Sequence, residues 1–349
     1  GLWTMLRQSS LRPDLRVLLD GLGPLVTTCR RLMLTTDGAT PAHYAREGVL
    51  SGALRIAVEA GVDPMRALQM ATIDPATFLG LDEEIGGIAP GRRASLVILD
   101  DRDAFAPRTV MVDGRVVARE GRLLEPMPAL DWEALGCSAR FASPERFADP
   151  SLYAAPAPAA GATLDVMAYE SAVITRRAQA AVPARGGHID VSAEPGLLHA
   201  ALLDRRGAWI VRGLVAGLMP ELDGLATSLT TSMELLVLGR DPRAIAHAAA
   251  RVAELRGGIA FAGPDGVRWE ARLPVLGMMN AGGLAEAVRI DEVLGRHAAA
   301  AGYPFHDALY SLLFATGDFL PELRLTPIGL LDVKAGAVLA PPVALGDGA

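Results

Sequence analysis

Near residue 85 the hydrophobic period of the chain changes, and few folds accommodate what lies on both sides of the change. Upstream, a strand-like run at residues 2–7 (LWTMLR) is followed by a polar turn and the apolar-periodic LRVLLDGLGPLV. A second strand-like run, RLMLTT, ends at Asp37, and residues 43–60 then repeat apolar side chains at helical spacing. Two Asp-Pro pairs, Asp63-Pro64 and Asp74-Pro75, each predict a helix start, with Asp as cap and Pro in the first turn. Strand, loop and helix in this alternation are the unit of an α/β barrel or a doubly wound sheet.

Downstream, the apolar residues fall into short runs bounded by turn formers. Ser95–Leu99, Thr109–Val112 and Val116–Arg119 predict three strands, the last two joined by the hairpin dipeptide Asp113-Gly114. Residues 126–162 are rich in Pro and Ala, including YAAPAPAAGA, and predict a connection between domains. Beyond it strands and helices alternate again. Asp241 and Pro242 open a helix that Gly257-Gly258 stops, and Pro264-Asp265-Gly266 predicts a hairpin. The expected organisation is 1–84 (strand–helix units), 85–125 (small β segment), 126–162 (linker), 163–335 (a further domain) and 336–349 (tail).

A chain of 349 residues can bury several cores, and 51% hydrophobic with 21% charged residues is a globular balance. The net charge of -7, without a basic stripe, argues against nucleic acid as a partner. No apolar run approaches the roughly 18 residues that span a bilayer, and no charged-then-apolar segment opens the chain. The two cysteines, Cys29 and Cys137, lack metal or redox spacing, and a cytoplasmic location is expected. Lys334 is the sole lysine, which reads as compositional bias. The chain opens at Gly1-Leu2-Trp3 inside a strand-like run, so it is expected to be a piece of a longer protein.

Spacing leaves two readings open for Asp37. An acid at the carboxyl end of a barrel strand can bind a divalent metal or carry a proton, and a loop acid can equally cap the helix behind it. The histidines at 43, 188, 199, 247, 297 and 306 form no HxH or HExxH pair, and no nucleophile elbow, phosphate loop or dinucleotide fingerprint occurs. The hydroxyl-rich stretch before residue 235 and the MMNAGG loop read as turns.

Order and wording are more specific. The stretch DPMRALQMATIDPATFLGLDEEIGGIAPGRRASLVILDD…VMVDGRVVAREGRLL resembles the ending shared by amidohydrolase-superfamily enzymes. WTMLRQSSLRPDLRVLL is similar to the barrel strand 7 segment of adenine deaminases (REGSAAKNL), and LMLTTDGATP to their strand 8 segment (TDDRHP). RGGIAFAGPDGVRWEARLPVLGMM and PELRLTPIGLLDV resemble the C-terminal domain of the same family. The resemblance is collinear from residue 1 to about 333.

It implies the C-terminal part of a TIM (β/α)8 barrel with a small β-sandwich segment, followed by an α+β domain. It matches Asp37 to the strand 8 aspartate that serves the metal and the proton transfers, and Arg7 and Ser10 to the Arg and Ser of the REGS segment. The implied cofactor is a divalent metal, manganese or iron ahead of zinc, with its other ligands upstream of Gly1, so that this piece alone is expected to be inactive. The implied partner is a purine or related heterocycle, with a homo-oligomer left open. The implied reaction converts adenine and water to hypoxanthine and ammonia.

Four departures are expected to matter. Gln8 stands where the family has Glu, Ser9 where it has Gly, and Gly38 where it has the second Asp of TDD. Thr230-Thr231-Ser232-Met233-Glu234 stands where the family has HDSHN. They keep open a diverged amidohydrolase acting on another cyclic amide or aminated heterocycle, and a non-catalytic paralogue.

Overall fold

The computed structural model describes all residues except 102, 103, 158, 160, 161 and 347–349. Part of the expected linker and the end of the expected tail thus lie outside the described residues. The chain divides into two compact units, Gly1–Leu130 and Asp131–Ala349.

In the first unit β1 (Thr4–Arg7) and β2 (Leu32–Thr35) pair in parallel, with Arg7 opposite Thr35. A parallel pair needs a crossover, and the apolar-periodic run between them supplies it as α1 (Leu15–Leu22) and α2 (Leu25–Thr28). Four helices follow β2: α3 (Pro41–Glu47), α4 (Ser51–Glu59), α5 (Pro64–Ala71) and α6 (Ile73–Leu79). They share a core of Leu6, Leu15, Leu34, Ala57, Ala67 and Met70. The two strands form an open pair, and the described residues close no barrel.

Two expectations are corrected here. The helical period over 43–60 belongs to two helices, because Gly48 turns to φ +74 and donates its N–H to Tyr44, ending α3. Of the two Asp-Pro signals, only Asp63 caps, accepting from the N–H groups of Met65 and Arg66. Helix α6 starts at Ile73, and the Asp74 carboxylate instead lies 2.5 Å from Nη1 of Arg66, both side chains being buried. Arg66 also donates to the carbonyls of Val26 and Cys29 at 3.3 and 2.8 Å. A guanidinium drawn inward to carbonyls needs a counter-charge, and Asp74 supplies it.

The strands β3 (Leu96–Leu99), β4 (Pro107–Val112), β5 (Arg115–Arg119) and β6 (Arg122–Leu123) form one antiparallel meander. Asp113 and Gly114 both take positive φ, as the two-residue turn between β4 and β5 requires. Gly86 has φ +85, and a Cβ there would stand 2.6 Å from that of Ala76 on α6, so the IGGIAPG loop needs glycine at this place.

The second unit is built on a nine-stranded sheet, mostly antiparallel. Its strands are β7 (Leu164–Tyr169), β8 (Thr175–Ala180), β11 (Leu197–Leu203), β12 (Trp209–Ala216), β13 (Gly224–Thr227), β14 (Leu235–Gly239), β15 (Gly258–Gly263), β16 (Gly266–Arg272) and β20 (Val343–Ala344). A small pair, β9 (Ala184–Arg185) and β10 (His188–Ile189), lies between β8 and β11 in sequence. The main path runs β16-β15-β13-β14-β11-β12-β7-β8, with β20 on β12.

One face is covered by α7 (Pro242–Glu254), whose Ala244, Ile245, Ala248, Ala249 and Val252 are fully buried. Asp241 caps it as expected, accepting from the N–H of Arg243. The other face carries α8 (Leu284–Ala300), α9 (Ala308–Phe314) and a three-stranded sheet of β17 (Leu323–Thr326), β18 (Gly329–Asp332) and β19 (Ala337–Ala340).

Residues 126–162, expected as a connection, do more than connect. Phe147 and Tyr153 are buried beside α7 in the second unit's core, and Tyr153 donates its hydroxyl to the Phe147 carbonyl at 2.7 Å. Pro and Ala composition marks turns, but these two aromatics anchor the turns to the sheet.

Candidate functional site

Because β1 and β2 run in register, the loops that leave them emerge at the same level. The N–H of Gln8 donates to the Thr35 carbonyl at 2.9 Å, carrying the pairing one residue past β1. Past β2, Thr35 Oγ1 accepts the N–H of Asp37 at 3.1 Å, and Asp37 takes φ +52. Aspartate enters this left-handed region more readily than most side chains, because it can bond locally.

Asp37 Oδ2 lies 3.6 Å from Nη1 of Arg7, and Arg7 Nη2 lies 3.7 Å from Oδ2 of Asp14. One guanidinium at the carboxyl end of β1 therefore stands between two carboxylates. All three side chains are 40% or more exposed, so the ion pairs add at most about 1 kcal/mol to stability. In the sequence Asp14 lies in the polar turn before α1 and is not singled out. It makes no side-chain cap bond, and its Oδ1 is buried without a hydrogen-bond partner among the described residues.

Ser10 ties the two loops together. Its Oγ accepts the N–H of Thr40 at 3.0 Å, while Thr40 Oγ1 accepts the N–H of His43 at 3.4 Å and caps α3. His43 is 8% exposed, and burial lowers its pKa although Glu47 opposes the shift. Sequence reasoning set His43 aside with the scattered histidines; its place in the first turn after the Asp37 loop was the usable signal. Gln8 Oε1 faces the N–H of Leu15 at 3.4 Å, and buried Ser9 accepts from the N–H of Arg12 at 3.0 Å.

The remaining histidines stay apart from this loop pair in sequence and role. His247 lies 3.2 Å from the Gly263 carbonyl, His297 stacks on Trp269, and His199 is buried in β11. No three His, Cys, Asp or Glu side chains converge as a metal site among the described residues. The donor set present, one exposed carboxylate held by an arginine, does not by itself fit a resident divalent ion.

In the second unit, Thr230–Glu234 forms a hydrogen-bonded turn. Thr230 Oγ1 donates to the Glu234 carbonyl at 2.9 Å, and Thr231 Oγ1 pairs with Thr316 Oγ1 at 2.9 Å. Thr316 Oγ1 also accepts the N–H of Ser232 at 3.2 Å. Glu234 accepts the N–H of Arg205 at 2.8 Å, and burial raises its pKa. Each of these groups makes at least one hydrogen bond within the protein.

Residues 14–117 match the amidohydrolase family, and residues 172–337 match the adenine deaminase C-terminal domain. The first unit thus resembles amidohydrolases, and the second unit resembles the adenine deaminase C-terminal domain.

A Bacillus cereus protein provisionally named an adenine deaminase is 31% identical over 349 residues, covering 99% of this chain and 57% of its own. An adenine deaminase of Ruegeria sp. (strain TM1040) is 29% identical over 340 residues, covering 96% of this chain and 56% of its own. The chain therefore spans a little over half the length of these relatives. A solved amidohydrolase from Thermotoga maritima MSB8 matches 33% of this chain and 37% of its own at 19% identity, with a TM-score of 0.21. That likeness is too slight to bear on the fold.

Proposed function

We propose that this chain is the C-terminal part of a hydrolytic deaminase that converts adenine and water to hypoxanthine and ammonia. The observation that carries the reading is the placement of Arg7 and Asp37 at adjacent carboxyl ends of two parallel strands, 3.6 Å apart. In a (β/α)8 barrel that end is the active-site mouth, and β1 and β2 would be two of its strands. The names of the relatives and the matched C-terminal domain supply the substrate class.

In this mechanism Asp37 accepts a proton from the attacking water and passes it to the leaving amine. Water adds across the C6=N1 bond, one of its protons ending on N1 and C6 becoming tetrahedral; the C6–N bond then breaks as the other proton reaches the amine, leaving the C6 carbonyl of hypoxanthine and free ammonia. Arg7 holds the Asp37 carboxylate in position, and Ser10 fixes the loop behind it through Thr40. This chain would offer a divalent ion one ligand, Asp37.

A second reading keeps the chemistry and changes the ring. Thr230–Glu234 commits its hydroxyls and its carboxylate to internal hydrogen bonds, and Gln8 presents an amide instead of an acid. These departures favour another aminated heterocycle or cyclic amide as the substrate.

Ammonia release by the full-length protein, supplied in turn with manganese, iron or zinc, separates the two. Turnover of adenine supports the first reading, and turnover of other rings without adenine supports the second. Asp37→Ala is expected to lower kcat by about 10²–10⁴-fold, the usual worth of a positioned proton carrier. An unchanged kcat would remove Asp37 from the mechanism.

A further inference from the structure

Strand β12 changes partners along its length. Trp209 and Ile210 pair with β20, whereas Leu214, Val215 and Ala216 pair with β7. Carrying the β7 register two residues back would set Leu164 opposite Arg212 and Asp165 opposite Gly213. Neither pair forms, and Leu164 and Asp165 pair only with β8, at Ala180 and Gln179. The sheet splays open at this point, and among the described residues no strand pairs with Val211–Gly213 of β12 on that side.

A cavity of about 270 Å³ occupies the splay. Its lining includes the four residues whose pairing is missing, with Leu214 and Leu330 among its apolar walls. The two charged groups on that lining differ. Asp165 is engaged by Arg177, which donates two hydrogen bonds to it at 2.8 and 3.0 Å. Arg212 donates from Nε to the Leu152 carbonyl at 2.9 Å, and burial lowers its pKa with no carboxylate among the described residues offsetting the effect. A half-buried guanidinium without a counter-charge has lost hydration that an anion would restore, and its planar donors suit a carboxylate.

We propose that the splay between β7 and β12 binds a small monocarboxylate with an apolar body, its carboxylate on Arg212 and its body against Leu214 and Leu330. The volume lies just under the usual range for drug-sized ligands, about 300–1,000 Å³, which fits a short acid. Asp165 on the same wall opposes a second negative charge, which disfavours phosphate. The site involves the second unit alone.

Calorimetric titration of the chain with benzoate, hexanoate, benzamide and inorganic phosphate tests this. Saturable binding of either acid is expected, with benzamide and phosphate at least about tenfold weaker, the worth of one charge-assisted pair. Arg212→Gln should weaken the acid by about tenfold or more without changing the circular dichroism spectrum. Should that variant misfold through loss of the Leu152 contact, Thr163→Trp decides, since it narrows the cavity from an exposed position. No saturation below about 10 mM, phosphate binding more tightly than both acids, or acid binding untouched in a folded variant would each overturn the proposal.

Discussion

In the first unit Met5 on β1 is 61% exposed, and Phe78 and Leu79 at the end of α6 are 47% and 63% exposed. In the second unit every residue of β11 is buried, with Leu198 and Leu202 on one core and Ala201 and Leu203 on another. The difference follows from what covers each sheet. β11 lies in mid-sheet between two helix-bearing layers, whereas β1 buries Leu6 on its helical side and leaves Met5 in water. A parallel strand is ordinarily buried on both faces; on the face that β1 does bury, an apolar core is joined by a few special contacts.

The largest such contact is the buried Arg66–Asp74 pair. Asp74→Ala leaves the guanidinium buried without a counter-charge and should destabilise the first unit by about 3–5 kcal/mol. Hydrogen exchange resolved by mass spectrometry should show faster exchange across residues 64–79 and unchanged protection in β11. Equal loss in both units would show that they unfold together, which would break the comparison.

The second unit carries a different weakness. His199 is 4% exposed, its Nδ1 has no hydrogen-bond partner among the described residues, and burial pushes its pKa down to about 4. The unfolded chain takes up a proton near pH 6.5 that the folded ring refuses, so stability is fully present above about pH 6.5 and falls as pH drops towards 4. The loss over that window should be about 3 kcal/mol, read as a falling urea midpoint of the second unit. His199→Leu should flatten that part of the pH profile. A profile of the same slope in the variant would assign the effect to other groups.

Asp74 and His199 also show where sequence reading stops. Asp63, Asp74 and Asp241 each precede proline, and the local signal is identical. Two of them cap, whereas Asp74 turns to Arg66, a partner eight residues away whose need for charge arises only when α5 packs on α2. The strands, the Asp113-Gly114 turn and α7 were legible because period and turn chemistry are local. The Gly48 break within 43–60 was masked by apolar spacing that runs through it. At the candidate site the sequence singled out Arg7, Ser10 and Asp37, and Arg7 and Asp37 lie 3.6 Å apart. Asp14 and His43 were missed, because one lies in a polar turn and the other looks like a scattered histidine until the loops are brought level.

The two acids that do cap give the finest comparison of the units. Asp63 accepts from two N–H groups at the start of α5, at 3.0 and 3.1 Å. Asp241 accepts from one, at 2.9 Å, at the start of α7. Replacing either by Ala removes the same kind of bond and should cost about 1 kcal/mol, within roughly 0.5–2 kcal/mol. Exposed donors recover water once the cap is lost, so neither change should approach the effect of Asp74→Ala. Because α7 is held by a continuous buried face, its loss should appear as a uniform drop in the second unit's denaturant midpoint. Helix α5 has a shorter buried face, so Asp63→Ala should show as local fraying, with faster exchange at residues 64–67 and little change in global stability. Local fraying in α7 and a global drop in the first unit would reverse the ranking of the two cores.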